Sequence, residues 1–215
     1  MMLHEKLDAQ RARSVANPVF RDILEATFAE LRRSNFIDQA LRTGARFPDF
    51  LLPDAGGRLI GLADLLTRGP LVITFTRGEW CPYCVLALAA LEDSLPDIKD
   101  AGGRLIAMTP ETGGRALEIT QQHKLHYDVL VDVDSGIGLH CGLVYRVPEP
   151  YRSTLARAGI DLADRQGNGG WLLPVPAVYI VNRDGLISWN FMDIDFTRRA
   201  EPSDIVEALR GLNAA

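Results

Sequence analysis

The sequence predicts an α/β fold, a central mixed sheet flanked by helices, with a helical extension in front of it. Three observations carry this. From residue 71 onward, short runs of β-forming residues alternate with stretches of helical period, the pattern of a sheet covered on both faces. Near the end, Asn182-Arg183-Asp184-Gly185 joins two strand-like runs, and an Asp-Gly pair in that setting is a hairpin signal. Residues 3–43 place apolar side chains at helical spacing. A length of 215 residues, 47% hydrophobic and 24% charged, suits one globular domain with an added segment.

The elements follow in order. Asn17-Pro18 is a cap followed by proline at a first helical position, which divides the extension into helices over about 4–15 and 18–42, the second closed by Gly44. Residues 1–45 read as a packing or dimerisation arm, which admits a homodimer, and residues 46–215 as the main domain. Phe50-Leu51-Leu52 and Arg58-Leu59-Ile60 flank Pro53-Asp54-Ala55-Gly56-Gly57, a second hairpin, and a short helix covers Leu62–Leu66. Leu71–Thr76 is a buried strand. A helix runs from Cys84 to about Lys99, with Pro96 as a kink or stop. Then come a strand at Arg104–Thr109, a helix at Thr112–His123, a strand at Val129–Val131 and a short helix at Ser135–Leu143. Ala177–Val181 and Leu186–Phe191 form the late hairpin, and Pro202–Leu212 the closing helix. Residues 145–174 break the rhythm with Pro148, Pro150 and Gly167-Asn168-Gly169-Gly170; they read as an insertion on the active-site rim or flank, with Trp171 placed to cap the site.

Composition excludes several classes. A net charge of −5 with scattered arginines leaves no basic footprint for nucleic acid. No apolar stretch reaches the roughly 18 residues that span a bilayer, and Met1–Arg13 lacks the apolar core of a secretory signal, so the expectation is a cytoplasmic protein off the membrane. Three cysteines are too few for a disulfide framework, and in a reducing compartment a close pair is catalytic or metal-binding. Asp132, Asp134, Asp193 and Asp195 are spaced two apart and read as solvated strand-end carboxylates; a calcium site needs more convergent oxygens. No cofactor is implied, because thiols alone can carry the electrons.

The chemistry concentrates in Thr74-Phe75-Thr76-Arg77-Gly78-Glu79-Trp80-Cys81-Pro82-Tyr83-Cys84, where a buried strand ends, a loop follows and a helix begins. A thiol there faces unpaired N–H groups and the positive end of the helix dipole, both of which favour thiolate. Pro82 fits the first turn, and two intervening residues let Cys81 and Cys84 join as a disulfide. Cys-x-x-Cys after a strand and opening a helix is the thioredoxin-like redox pattern, strengthened by Trp80. Arg77, if it points inward, adds positive charge and, with backbone N–H groups, a place for a leaving oxygen. Zinc held by Cys81, Cys84, His140 and Cys141 is the competing reading, weakened because adjacent residues rarely converge on one metal. Cys141 otherwise reads as a packed thiol, with a resolving role as its alternative.

At these residues the chain resembles the peroxiredoxin-like proteins of the alkyl hydroperoxide reductase and thiol-specific antioxidant group. Phe75 to Cys84 is similar to that group's active-site stretch, Pro48-Asp49-Phe50-Leu51-Leu52-Pro53 to its first strand, and Leu173 to Gly185 and Asp195 to Pro202 to later segments. The resemblance spans roughly residues 46 to 212 and implies a thioredoxin fold and a thiol-dependent peroxidase or reductase. It implies that Pro176 is a cis-proline facing the cysteines, and that Val175 and Pro176 join Arg77 and Trp80 in binding substrate. Typical members carry proline, then threonine or serine, then the peroxidatic cysteine, with an arginine from a distant strand. Here Arg77 takes the proline place, Cys81 the threonine place and Cys84 the peroxidatic place, while Pro176 stands where the arginine is expected. The expected activity is reduction of hydrogen peroxide or alkyl hydroperoxides through the catalytic pair Cys81 and Cys84, with a thioredoxin- or glutathione-type reductant. The alternatives are a thiol–disulfide oxidoreductase in which Cys81 attacks a protein disulfide, and a redox sensor whose N-terminal helices are the partner surface.

Overall fold

A computed structural model of the chain describes residues 1–213. Two helices come first, α1 (Leu3–Val15) and α2 (Pro18–Arg33), and the Asn17 side chain accepts from the Val19 and Phe20 N–H groups between them. α2 stops short of the expected residue 42. Ser34 and Asn35 interrupt it: the Ser34 hydroxyl donates back to the Leu31 carbonyl, and Asn35 takes a left-handed φ of 49° that asparagine tolerates. A 3-10 turn over Phe36–Gln39 leads to the hairpin β1 (Leu51–Pro53) and β2 (Leu59–Gly61), then α3 (Leu62–Leu66) and β3 (Leu71–Phe75). The helix expected over 84–99 is two helices, α4 (Pro82–Asp93) and α5 (Leu95–Asp100). Pro96 cannot donate into a continuing helix, so it sits in the first turn of a new one. Next are β4 (Arg104–Thr109), α6 (Arg115–Gln122), β5 (Asp128–Val131) and α7 (Gly136–His140). The region read as an insertion folds as β6 (Val144–Arg146), α8 (Glu149–Arg157), α9 (Leu162–Gln166) and β7 (Leu172–Pro174), with β6 and β7 paired antiparallel. The chain closes with β8 (Ala177–Val181), β9 (Ile187–Met192) and α10 (Pro202–Asn213).

The central sheet has the order β5-β4-β3-β8-β9. β3, β4 and β5 run parallel, while β8 is antiparallel to both β3 and β9. This is the thioredoxin-like mixed sheet. Alternation along β3 builds a core on each face: Leu71, Ile73 and Phe75 pack with Phe47 and Tyr179, while Val72 packs with Leu88, Ile98, Ile119 and Leu209 from α4, α5, α6 and α10.

The trans geometry of Pro176 corrects one expectation, since no peptide bond among the described residues is cis. The Val175 N–H donates to the Leu143 carbonyl at 2.8 Å, holding the chain extended from β7 into β8, and trans is the ordinary form of an X–Pro bond. The acidic residues need correction too. Asp132 is buried and accepts from the Ile137 and Gly138 N–H groups at 2.8 and 2.9 Å, capping α7. Asp195 is buried as well, so neither is a solvated strand-end carboxylate.

The N-terminal arm packs within the chain. Leu3 and Leu7 of α1 bury against Tyr83, Cys84 and Ala87 of α4. Glu201 receives the Leu3 and His4 N–H groups at 3.2 and 2.6 Å, satisfying donors that a helix start leaves open. Arg11 pairs with Asp195 at 2.7 Å, and Asp195 also accepts from the Thr197 N–H and hydroxyl at 3.1 and 2.6 Å. Asp195→Ala is expected to cost about 1–3 kcal/mol, because it strands buried donors. Urea denaturation measures that loss, and hydrogen exchange should show α1 opening more than the sheet.

Candidate active site

β3 delivers the chain to a loop that is rigid for identifiable reasons. Gly78 has φ +126°, and a Cβ there would lie 2.5 Å from the Glu111 carboxyl carbon, so only glycine fits. Glu111 is fully buried behind the loop and accepts from the Glu79 N–H at 2.7 Å and from Arg165 of α9 at 2.7 Å. Burial pushes its carboxyl up, against the pull of these two bonds. One carboxylate therefore ties the cysteine loop to the 145–174 region. At the loop's end Cys81 is the N-cap of α4, with Pro82 opening the helix, so Cys84 falls one turn further in.

Both thiols are free and buried. The Cys84 sulfur accepts from the Arg77 backbone N–H at 3.4 Å and from Arg199 Nη2 at 3.3 Å. Burial alone would raise its pKa. A hydrogen bond from Cys81, the Arg199 charge, the Arg77 N–H and the Arg77 charge outweigh that and bring it to about 5. Burial and the neighbouring Cys84 push Cys81 the other way, well above the ordinary thiol range. Both shifts favour the thiolate on Cys84 and the proton on Cys81 in the reduced pair.

Arg77 is 1% exposed, and among the described residues no carboxylate pairs with it. Its guanidinium lies 3.9 Å from the Phe196 ring centroid, 4.9 Å from Trp80 and 5.5 Å from Tyr151. It donates to the Tyr151 and Tyr145 hydroxyls at 2.9 and 3.3 Å, while its Nε has no partner. A buried cation in such a cage is costly unless a negative charge answers it, and the thiolate supplies that charge.

Beside this cage lies a cavity of about 520 Å3, walled by the cysteine loop, α2, α8 and Phe196. Cys81 forms part of its wall and Cys84 does not; Arg77 and Trp80 line it, whereas Val175 and Pro176 do not. Val175 packs instead in the apolar cluster of Tyr151 and Phe196. Trp171 does not reach the cavity and stacks with Arg152 at 5.1 Å. Cys141 sits in the core on the far face of the sheet, its thiol pushed up to about 12 chiefly by burial, so His140-Cys141 does not join the pair in a four-ligand set. Sequence reasoning missed Arg199, Phe196, Tyr145, Tyr151 and Glu111. Arg199 and Phe196 lie in the Asp195 to Pro202 segment that carries the family resemblance, but nothing local marks any of these residues as facing the cysteines.

The profile of the AhpC/TSA family matches residues 43–190. The chloroplastic peroxiredoxin Q of Oryza sativa subsp. japonica is 25% identical over 135 residues, 63% of this chain and 60% of that protein. The thiol-disulfide oxidoreductase ResA of Bacillus cereus is 27% identical over 95 residues, 44% of this chain and 54% of that protein. This chain thus spans about 60% of the length of the peroxiredoxin Q it matches. Among solved structures, peroxidoxin BcpB from Mycobacterium tuberculosis superposes with a TM-score of 0.62 at 17% identity, covering 80% of this chain and 98% of that one. The matched stretch begins before β1, carries both cysteines and reaches into β9, and on that footing the chain belongs to the AhpC/TSA family.

Proposed function

We propose that the chain is a thiol peroxidase that reduces hydrogen peroxide or alkyl hydroperoxides, with Cys84 attacking and Cys81 resolving. The observation that carries this is the Cys84 sulfur, held between the Arg77 N–H and the Arg199 guanidinium with Cys81 as proton donor beside it. The thiolate attacks one peroxide oxygen, the O–O bond breaks, and the leaving oxygen departs as alcohol or water after gaining a proton. Arg199 is the donor placed to stabilise charge on that oxygen. Cys81 then condenses with the sulfenic acid on Cys84, releasing water and forming the disulfide. An external thiol of thioredoxin or glutathione type restores the pair by exchange. Arg77 and Trp80 shape the substrate side, with Val175 and Pro176 supporting from behind. In this reading residues 46–215 supply the chemistry, residues 1–45 form an arm closed over it, and the protein works in a reducing cytoplasm.

The ResA relative gives a second reading, thiol–disulfide exchange on protein substrates. Burial of both sulfurs beneath α1 argues against a protein disulfide as substrate. The two separate by mixing reduced protein with hydrogen peroxide or cumene hydroperoxide and following disulfide formation by intact mass. Oxidation far faster than free cysteine, with no mixed disulfide captured by the single-cysteine variants from an oxidised protein substrate, supports the peroxidase. Oxidation at the free-thiol rate with captured mixed disulfide overturns it.

A further inference from the structure

The cavity beside the cysteines is far larger than hydrogen peroxide requires. At about 520 Å3 it is in the range of small-ligand pockets, against the roughly 30 Å3 that a water-sized molecule takes in the liquid. Its wall holds Cys81 but not Cys84, so it leads to the resolving sulfur rather than the attacking one. Phe20, Leu155 and Ile160 make its sides apolar. The charged residues lining it are Arg77 and Arg157, with no acid among the lining residues. Arg157 is exposed and makes no ion pair among the described residues. Arg77, buried, has a free Nε. Apolar walls, an exposed cation at Arg157, a buried one at Arg77 that loses its thiolate counter-charge once the disulfide forms, and a cysteine describe a site for an amphipathic anion that reacts with sulfur.

We infer that this cavity is the port for the reductant, and that the reductant is a low-molecular-mass thiol with an apolar body and a carboxylate, attacking Cys81. The inference rests on the peroxidase reading only in needing something to reduce the Cys81–Cys84 disulfide, and it narrows the reductant from a protein dithiol to a small molecule. Cys81 is 0% exposed at the inner wall of the cavity, so its sulfur must be uncovered before any thiol reaches it, and a chain a few atoms wide needs far less displacement of the covering α2 and α8 than a protein does. The entering thiol loses its proton to solvent, and its sulfur bonds to Cys81 as the Cys81–Cys84 bond breaks. Cys84 leaves as thiolate into the bonds of Arg77 and Arg199, and the lower-pKa sulfur is the better leaving group. A second molecule of the thiol attacks the outer sulfur of the mixed disulfide, giving the free disulfide and returning Cys81 as a thiol after proton uptake. Two thiols thus supply the two electrons.

The test uses full-length protein oxidised with diamide and measures reduction by mercaptooctanoic acid, mercaptooctanol, β-mercaptoethanol, glutathione and a thioredoxin, followed by intact mass. Mercaptooctanoic acid should be on the order of tenfold faster than β-mercaptoethanol, a factor that two buried methylenes already supply. It should also outrun mercaptooctanol. Arg157→Glu, at an exposed position, should erase the advantage of acid over alcohol, and Ile160→Trp should collapse the ratio of mercaptooctanoic acid to β-mercaptoethanol. One common rate for all small thiols, or a thioredoxin outrunning every one of them, overturns the inference. Because diamide replaces peroxide, failure here leaves the peroxidase reading standing, and a protein inert to peroxide would still report on the port.

Discussion

Cys84→Ser should abolish rapid oxidation by peroxide, while Cys81→Ser should keep the first oxidation within a few-fold and lose only the disulfide. In a thioredoxin-type exchanger the first cysteine of the motif attacks; in the proposed reading the surroundings of each sulfur reverse that asymmetry. Cys84 has two outside donors, the Arg77 N–H and Arg199, whereas Cys81 has burial and a neighbouring negative charge. With Cys84 gone, Cys81 loses the negative charge beside it but keeps its burial, and a thiol even at the ordinary value of about 8.5 is ionised to only a few per cent at neutral pH, so ionisation alone should slow the reaction by roughly thirtyfold. With Cys81 replaced by serine, a hydroxyl can still donate to the Cys84 thiolate, so the nucleophile survives. Its sulfenic acid then has no resolving partner and should accumulate, trapped by dimedone and seen by mass. The reverse pattern, a silent Cys81→Ser and a reactive Cys84→Ser, would assign the attack to Cys81.

The uneven legibility of this site in its sequence has a physical origin. The strand–loop–helix around Cys81 and Cys84 is written in neighbouring residues: a run of β-formers, a glycine at a position no side chain could occupy, and a proline that opens a helix. The mixed sheet likewise follows from alternating periods and the Asp184-Gly185 turn. The groups that tune the sulfurs come from far along the chain. Arg199 arrives from the segment before α10, Tyr145 and Tyr151 from β6 and α8, and Glu111 from the end of β4, and no local pattern marks an arginine that will face a thiolate. Arg77 shows the limit most clearly. Its position was legible, but its backbone N–H is what meets Cys84, while its guanidinium turns into Phe196, Trp80 and Tyr151. Helix ends turn on single residues: Asn35 ends α2 by taking positive φ, short of residue 42, and the break expected at Pro96 falls just before it, with Pro96 in the first turn of α5.

The second large effect is expected at Arg199. Arg199→Met removes a cation 3.3 Å from the Cys84 sulfur, the donor proposed above for the leaving oxygen. Losing one such preorganised donor typically slows a reaction by about a hundredfold or more, and that loss is expected in the peroxide step near neutral pH. The pH profile separates this role from a structural one. With the Cys84 pKa at about 5, the rate of oxidation should be flat through neutrality and fall as pH drops through that value. Without Arg199 the midpoint should move up, by about one to three units for the loss of an adjacent opposite charge. Arg199→Lys should recover part of the midpoint but less of the rate, because an ammonium lacks the planar fork. Stability follows the same linkage. A thiol whose folded pKa lies below its unfolded one, about 8.5, adds stability that is complete above the unfolded value and is lost as pH falls through the folded one. Urea denaturation of the reduced protein should therefore show this contribution growing from about pH 5 to about pH 8.5. In Arg199→Met it should begin at a higher pH and end smaller. A slower enzyme with an unmoved midpoint would show that Arg199 holds the loop and leaves the ionisation of Cys84 to Cys81 and the Arg77 N–H.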